Sequence, residues 1–280
     1  MIKNAFRALG DATRSLFRGW RVLLVFVALY ALLLAAVYYF FKTGVANVWQ
    51  LVVTAATFAL APLLAFALQA AVAHNAQGDV GAGAVLRRTL RDFLKVLLVS
   101  IPLAALAVLF VYLLYKLEAY LPEAANVPSV PRPQGGPQPM PLRWQDVLLS
   151  SLWMLLLGIV LPLVAARMWL SVARDGLKTT LKRAHRVAAH ALAPQSVVVY
   201  AVGLFVFALM PYFVIFTRTP VKSAWAELLL FGLRLALAFL LSLVGWAVTL
   251  GALARLTPEP AAVVPETPPT AAAGEVPQQA

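Results

Sequence analysis

The residues of this chain whose types and spacing could do chemistry are arginines and lysines in short helical groups. Arg87, Arg88 and Arg91 follow Leu86 in "LRRTLRDFLK", and Lys182, Arg183 and Arg186 follow Leu181 in "LKTTLKRAHR" with the same spacing. Near the start, Arg7, Arg14 and Arg18 gather on one helical side with Lys3 and Arg21. Positions i, i+1 and i+4 make one cationic edge on a helix, and a guanidinium fork matches the oxygens of a phosphate. The chemistry this indicates is binding of anionic headgroups at a membrane surface, at about 1 kcal/mol per basic residue near an anionic leaflet. The same basicity also has a purely topological reading, because positive loops orient membrane proteins.

A second group of candidates lies inside apolar runs. "APLLAFALQAAVA", residues 61–73, is echoed one hundred positions later by "LPLVAARMWLSVA", with Pro62 matching Pro162. A mid-span proline removes one backbone hydrogen bond and frees a carbonyl about one turn earlier. Matched breaks in two repeats point to a midplane site, for which Gln69, Arg167 and Arg234 would supply polar side chains. Packing is the competing reading: kinked prolines are common in membrane helices, and Ala55, Ala59, Gly158 and Ala165 would permit close helix approach. Arg234, about two turns below the outer end of its span, either snorkels outward or draws an anion inward.

Other site chemistries find little support. The chain has no cysteine and three histidines; His74 belongs to a helix end, and His185 and His190 fall on different faces, so metal-ligand spacing is lacking. No nucleophile with a base and no paired acids in a span can be picked out. "GAGAVLRR" lacks the Gly-Lys-Ser/Thr ending of a phosphate loop. No aromatic-bearing soluble module accompanies the charge, so nucleic acid is not an expected partner. The expectation is a non-enzymatic protein with no metal or cofactor.

The elements that must position these residues follow from composition. Of 280 residues, 62% are hydrophobic and 12% charged, with a mean hydropathy of +0.84, which suits lipid better than a soluble core. Apolar runs at residues 22–41, 49–72, 96–115, 147–172, 197–216 and 228–254 are each long enough to cross about 30 Å of hydrocarbon as a helix. They lack the alternation of barrel strands, so helices alone satisfy their backbone. The first run is too long for a cleaved signal and reads as an anchor. Of the 23 Lys and Arg residues, sixteen fall on the side of the N-terminus and the 87–95 and 174–186 stretches, six fall opposite, and Arg234 lies within a span. That asymmetry puts both termini in the cytoplasm. Residues 116–145, with seven prolines, read as an extracytoplasmic loop, and residues 256–280 as a disordered cytoplasmic tail.

Residues 1–21 read as an interfacial helix with Ile2, Phe6, Leu9, Thr13, Leu16, Phe17 and Trp20 on its apolar face. Leu86, Leu90, Phe93 and Leu97 form the corresponding stripe in the second basic stretch, and Leu177, Leu181 and Ala184 in the third. Spans two and four run in the same direction, each followed by a basic stretch and a returning span. The architecture expected is therefore an all-α polytopic bundle of six transmembrane helices, residues 22–255, with a parallel duplicated hairpin (spans two to three and four to five).

On the two units "ALQAAVAHNAQGDVGAGAVLRRTLRDF" and "WLSVARDGLKTTLKRAHRV", the chain resembles bacterial six-span membrane proteins of undefined function, including the membrane domain found beside some glycerophosphodiester phosphodiesterases. The likeness extends to Arg255 in hydropathy and spacing. Their soluble catalytic domain has no counterpart here, so no phosphodiesterase activity is carried over. The expected function is that of an inner-membrane protein whose cationic cytoplasmic face binds anionic lipid or a membrane-protein partner, in envelope organisation. The alternative is a small transporter with its site at the repeat interface.

Overall fold

A computed structural model describes residues 2–44, 46–78, 81–120, 144–217 and 223–256. Among the described residues every regular element is helical: α1 (Ile2–Arg18), α2 (Trp20–Lys42), α3 (Val48–Ala76), α4 (Ala82–Tyr120), α5 (Trp144–Trp153), α6 (Leu161–Asp175), α7 (Leu177–Lys182), α8 (Ala184–Ala191), α9 (Pro194–Leu204), α10 (Met210–Phe216) and α11 (Ala224–Arg255). A π-helical segment, Met154–Val160, joins α5 to α6, and a second, Phe205–Leu209, joins α9 to α10. Six continuous helices result, each long and apolar enough to cross a membrane: Trp20–Lys42, Val48–Ala76, Ala82–Tyr120, Trp144–Asp175, Pro194–Phe216 and Ala224–Arg255, with mean hydropathies of 2.3 to 2.7. Each contains one of the apolar runs of the sequence. The chain is an all-α, multi-pass membrane protein.

Local chemistry explains the boundaries. Asn47 accepts the Gln50 amide at 2.9 Å while the Gln50 side chain accepts the Ala46 amide at 2.8 Å, a reciprocal cap that starts α3. Gly176, at φ 81°, ends α6 with its amide on the Val172 carbonyl; that left-handed turn detaches the third basic stretch from the span before it. Pro194 opens α9, where its missing amide costs nothing. The second basic stretch, by contrast, is not a separate helix: α4 runs 39 residues, about 58 Å, through it and the third span together. The expected loop 116–145 is helical at both ends, since α4 continues to Tyr120 and α5 begins at Trp144. Residues 121–143, with Arg132 and Arg143, lie outside the described residues, as do Arg218, Lys222 and the tail 257–280.

Interfacial aromatics mark two levels. Trp20 is exposed, with the Arg21 guanidinium 5.8 Å from its ring. Eighteen and nineteen residues on, about 28 Å along α2, Tyr38 and Tyr39 are exposed and the Lys42 ammonium stands 5.3 Å from Tyr38. Trp49, Tyr115, Trp144, Tyr212 and Trp225 are exposed near the ends of their helices, as expected where amphipathic rings meet headgroups.

Burial is lopsided. α3 buries Leu68 and the residues from Ala70 to His74 but nothing before them, α4 buries seven residues of which only Leu114 lies beyond Ser100, and α5 buries none. α6 buries residues from Leu163 to Val172, and α11 from Ala238 to Leu253. The packed core thus sits at the end of the bundle that carries the basic stretches. There α11 is the spine, touching α1, α2, α3, α6, α9 and α10. Its close approaches depend on glycine: a β-carbon on Gly245 would stand 3.0 Å from the Phe207 β-carbon, and one on Gly251 3.2 Å from that of Ala12.

The π segments have a common cause. Each ends two residues before a proline, Pro162 or Pro211, which cannot donate to the carbonyl four residues back and would collide with it. The chain opens by one residue instead, so Leu161 donates to the Leu156 carbonyl and Met210 to that of Phe205. The carbonyls at the i−4 positions, Gly158 and Phe207, each accept a hydroxyl from another helix: Tyr200 at 3.0 Å and Ser242 at 3.0 Å. Pro62 and Pro102 sit inside uninterrupted α-helix, so the echo that pairs Pro62 with Pro162 joins two different local structures. Tyr200→Phe is expected to lower stability by about 1 kcal/mol in detergent unfolding. The loss should shrink in a Pro162→Ala background, where an amide returns to Gly158; an equal loss in both backgrounds would sink the assignment.

Candidate functional site

The basic end of the bundle carries three adjoining hollows around the α3–α4 connection. One, of about 840 Å³, lies between α3, α4 and α6 and is lined by His74, Gln77, Arg87, Arg88, Arg91, Asp92 and Arg174 among others. A second, of about 380 Å³, is bounded by Asp11, Arg14 and Arg18 of α1, Asn75 and Gln77 of the connection, and Gly251 and Arg255 of α11. The third, of about 700 Å³, lies between Arg18, Trp20, Arg21, Asn75 and Gly83. Shared residues (Arg18, Asn75, Gln77 and Gly83) make them one basin.

The structure therefore brings together Arg14 and Arg18 with Arg255, and Arg87, Arg88 and Arg91 with Arg174. Arg7, Lys182, Arg183 and Arg186 are exposed but line none of these hollows. Arg174 and Arg255 were legible only as topological charge, because nothing in their local sequence says that α6 and α11 end beside the α3–α4 connection.

A buried acid anchors the largest hollow. Asp92 is 5% exposed and His74 3%. His74 Nε2 stands 3.4 Å from Asp92 Oδ2, Lys95 Nζ lies 2.5 Å from Oδ1, and Arg91 lies 3.4 Å from Oδ2. His74, at the helix end where the sequence places it, is thus a buried residue facing a carboxylate. Asp92 could have been found by phase: it falls on the stripe Val85, Thr89, Asp92, Val96 and Val99, all buried, at helical spacing.

The packed stripe differs from the apolar stripe Leu86, Leu90, Phe93 and Leu97. Leu86 and Leu90 are exposed, at 41% and 64%, while Phe93 and Leu97 are half-buried. In α1 the helix turns Ala5, Ala8, Ala12 and Leu16 inward, and Ile2, Phe6, Phe17 and Trp20 stay exposed. In α7 Thr180 is buried and Leu181 exposed. All three basic elements bury small or polar residues against the bundle, with Leu16 as the large exception on α1, and each leaves at least one large apolar side chain exposed beside its arginines or lysines. Close helix packing selects small residues, which leaves the bulky ones for the surroundings.

The intramembrane candidates are dispersed. Pro62 is exposed, and Pro162 and Arg234 are half-buried. Gln69 accepts the Trp246 indole N–H at 2.7 Å. Arg167 is buried at 5% exposure and donates to the Leu253 carbonyl at 2.7 Å and to Ser196 Oγ at 2.6 Å. Ser196 in turn donates to the His190 carbonyl at 3.3 Å. Since Arg234 precedes Trp246 by 12 residues and Leu253 by 19 on α11, it lies about 18 and 28 Å along the axis from the levels of Gln69 and Arg167. Of the small residues expected at helix contacts, Ala165 is buried, Gly158 half-buried, and Ala55 and Ala59 exposed. Among the described residues no group of three His, Asp or Glu side chains could hold a metal ion.

Fold and site together define a polytopic membrane bundle with an arginine-ringed basin at one end. No family model matches the chain, and searches of curated proteins and of solved structures find no match.

Arg167 holds the last turn of α11, where carbonyls lack amide partners, to the start of α9. Arg167→Ala should cost about 2–3 kcal/mol, read as a lowered Tm in detergent, because Leu253 and Ser196 lose a charged donor in a buried place. Arg167→Lys should recover less than half of it, since one ammonium cannot reproduce the fork; full recovery would show that charge alone matters.

Proposed function

We propose that the chain is a non-enzymatic protein of the bacterial inner membrane whose cationic cytoplasmic face binds anionic lipid, with a role in envelope organisation. The observation that carries this reading is the pairing on α1, α4 and α7. On each, exposed large apolar side chains stand beside exposed basic ones: Phe6 and Phe17 with Arg7, Arg14 and Arg18; Leu86 and Leu90 with Arg87 and Arg91; Leu181 with Lys182. Such a side fits the boundary between acyl chains and phosphates, where both kinds of contact are favourable. A membrane-protein partner carrying anionic lipid would use the same surface. Both termini face the cytoplasm in this reading, in accord with the positive-inside rule. The two hairpins, α3 with α4 and α5–α6 with α9–α10, are read as products of one duplication in parallel orientation.

The transporter reading needs free polar groups at the repeat interface. Three of those expected there are engaged in packing, the Gly158 carbonyl with Tyr200, Gln69 with Trp246, and Arg167 with Leu253 and Ser196, while Arg234 lies about 18 Å or more along α11 from the levels of the last two. The lipid reading makes no such demand.

Charge reversal at Arg14, Arg18, Lys182 and Arg183 tests the proposal in nanodiscs of mixed anionic and zwitterionic lipid. The share of anionic lipid retained by the protein should fall by about tenfold or more, given roughly 1 kcal/mol per basic residue near an anionic surface. Added salt should weaken retention by the wild type as the screening length shortens. Unchanged retention in the variant would count against the reading.

A further inference from the structure

We propose that the hollow between α3, α4 and α6 is a selective site for the phosphomonoester headgroup of a membrane lipid. The inference rests on the lipid-binding reading above and adds to it a discrete place, a headgroup class and a stoichiometry.

Charge gives the first argument. Arg91 is four residues from Arg87 and three from Arg88, spacings at which like charges repel by about 0.2–0.5 kcal/mol per pair. Neither Arg87 nor Arg88 has a carboxylate within ion-pair distance among the described residues. Asp92, the one acid among the described residues that line the hollow, is already faced by Lys95 at 2.5 Å and by Arg91 and His74 at 3.4 Å each. Among the described residues two guanidinium forks are therefore left uncompensated on one edge of α4, and Arg174 on α6, itself paired with Asp175 at 3.0 Å, also lines the hollow. An anion between them would relieve that repulsion.

Construction gives the second. His74 also lines the hollow, its side chain 3% exposed and its Nε2 turned to Asp92 Oδ2 at 3.4 Å, so a buried polar pair backs the arginines. Gly83 and Ala84, in the first turn of α4, line it as well, adding the positive end of a long helix. The hollow is held in shape across its floor, because Gln77 Nε2 donates to the Leu170 carbonyl at 3.0 Å and ties α3 to α6.

Size and surroundings select the ligand. A volume of about 840 Å³ lies within the range of small-molecule sites, roughly 300–1,000 Å³, and exceeds what a bare phosphate would fill. Beside Arg87 on the same helix, Leu86, Leu90 and Leu94 are 41%, 64% and 53% exposed and lead toward the apolar run, so an acyl chain can lie along α4 while its headgroup occupies the hollow. A terminal phosphate offers three acceptor oxygens and close to two negative charges at neutral pH, enough for two forks at once. A diester offers one charge and two free oxygens.

Native mass spectrometry of the full chain in neutral detergent, titrated with dioctanoyl phosphatidic acid or dioctanoyl phosphatidylglycerol, tests the site. One phosphatidic acid should bind per protein at saturation, about tenfold more tightly than phosphatidylglycerol, as one extra charge-assisted contact implies. Arg87→Gln with Arg88→Gln should erase that preference, and Arg174→Gln should reduce it. The exposed Lys182→Gln with Arg183→Gln pair should leave it intact. All three variants alter exposed side chains, and an unchanged melting temperature will show that they remain folded. Arg87→Lys with Arg88→Lys should bind with intermediate preference, separating the fork from its charge.

Equal affinity for the two lipids, or a preference that survives Arg87→Gln with Arg88→Gln, would overturn the site while leaving diffuse lipid binding in place. Failure of both lipids to bind would overturn the broader reading as well. Competition by glycerol 3-phosphate at the concentration of phosphatidic acid would show a soluble phosphomonoester as the ligand and remove the lipid from the proposal.

Discussion

Backbone carbonyls inside a bilayer have no water to turn to, and the way this chain answers that constraint fixes how its helices are joined. Carbonyls at proline breaks, helix ends or inter-helix crossings accept a side chain from another part of the bundle: Gly158 from Tyr200, Phe207 from Ser242, Leu253 from Arg167, His190 from Ser196, and Leu170 from Gln77. Unsatisfied, such groups would each cost kilocalories in hydrocarbon. Each solution binds two specific helices in one register, so a local breach in hydrogen bonding becomes a tertiary contact. A bundle whose outer surface is as apolar as lipid gains little from burial alone, and these polar contacts supply much of its specificity.

The aromatic side chains follow the same lines of contact. Trp169, Trp246, Phe207 and Tyr200 form an edge-to-face series with centroid separations of 6.4, 5.3 and 6.0 Å, joining α6, α11, the second π segment and α9. Such pairs add about 0.5–1.5 kcal/mol each beyond area burial. Three members are also hydrogen-bonded through their polar edge, Trp169 to Ser100, Trp246 to Gln69 and Tyr200 to Gly158. Phe207 takes part through its backbone carbonyl. One network thus serves both packing and polar satisfaction.

What could be read from the sequence divides along physical lines. The six spans were legible because length and hydropathy are local properties, and each apolar run lies within one continuous helix. The release of a carbonyl by Pro162 was legible for the same reason; its capture by Tyr200 was not, because a partner 42 residues away has no local signature. The inward faces of α1 and α4 were not legible, because the sequence singled out the large apolar residues of each helix and left the bundle-facing ones unassigned. In water the greasiest stripe would go inside, but next to lipid close approach decides, so Ala5, Ala8 and Ala12 were chosen over Ile2, Phe6 and Phe17. Of the basin, Arg87, Arg88 and Arg91 could be seen as a cationic edge, whereas Arg174, Arg255 and the His74–Asp92 pair needed the tertiary arrangement.

Asymmetry of burial ties this packing to the basin. The fully buried side chains and nearly all the cross-helix hydrogen bonds lie in the half of the bundle that carries the basic stretches, and the π segments fall where α5 and α10 leave that half. α5 buries nothing, and α10 only Pro211. Beyond the breaks, the described helices have mostly exposed apolar surface, which lipid can cover as well as another helix can. Rigid support is thus concentrated beneath the arginines of α1, α4, α6 and α11, as the proposed recognition of a headgroup would require. In the two spans that carry π segments the breaks coincide with this division, and the hydroxyls of Tyr200 and Ser242 hold the boundary.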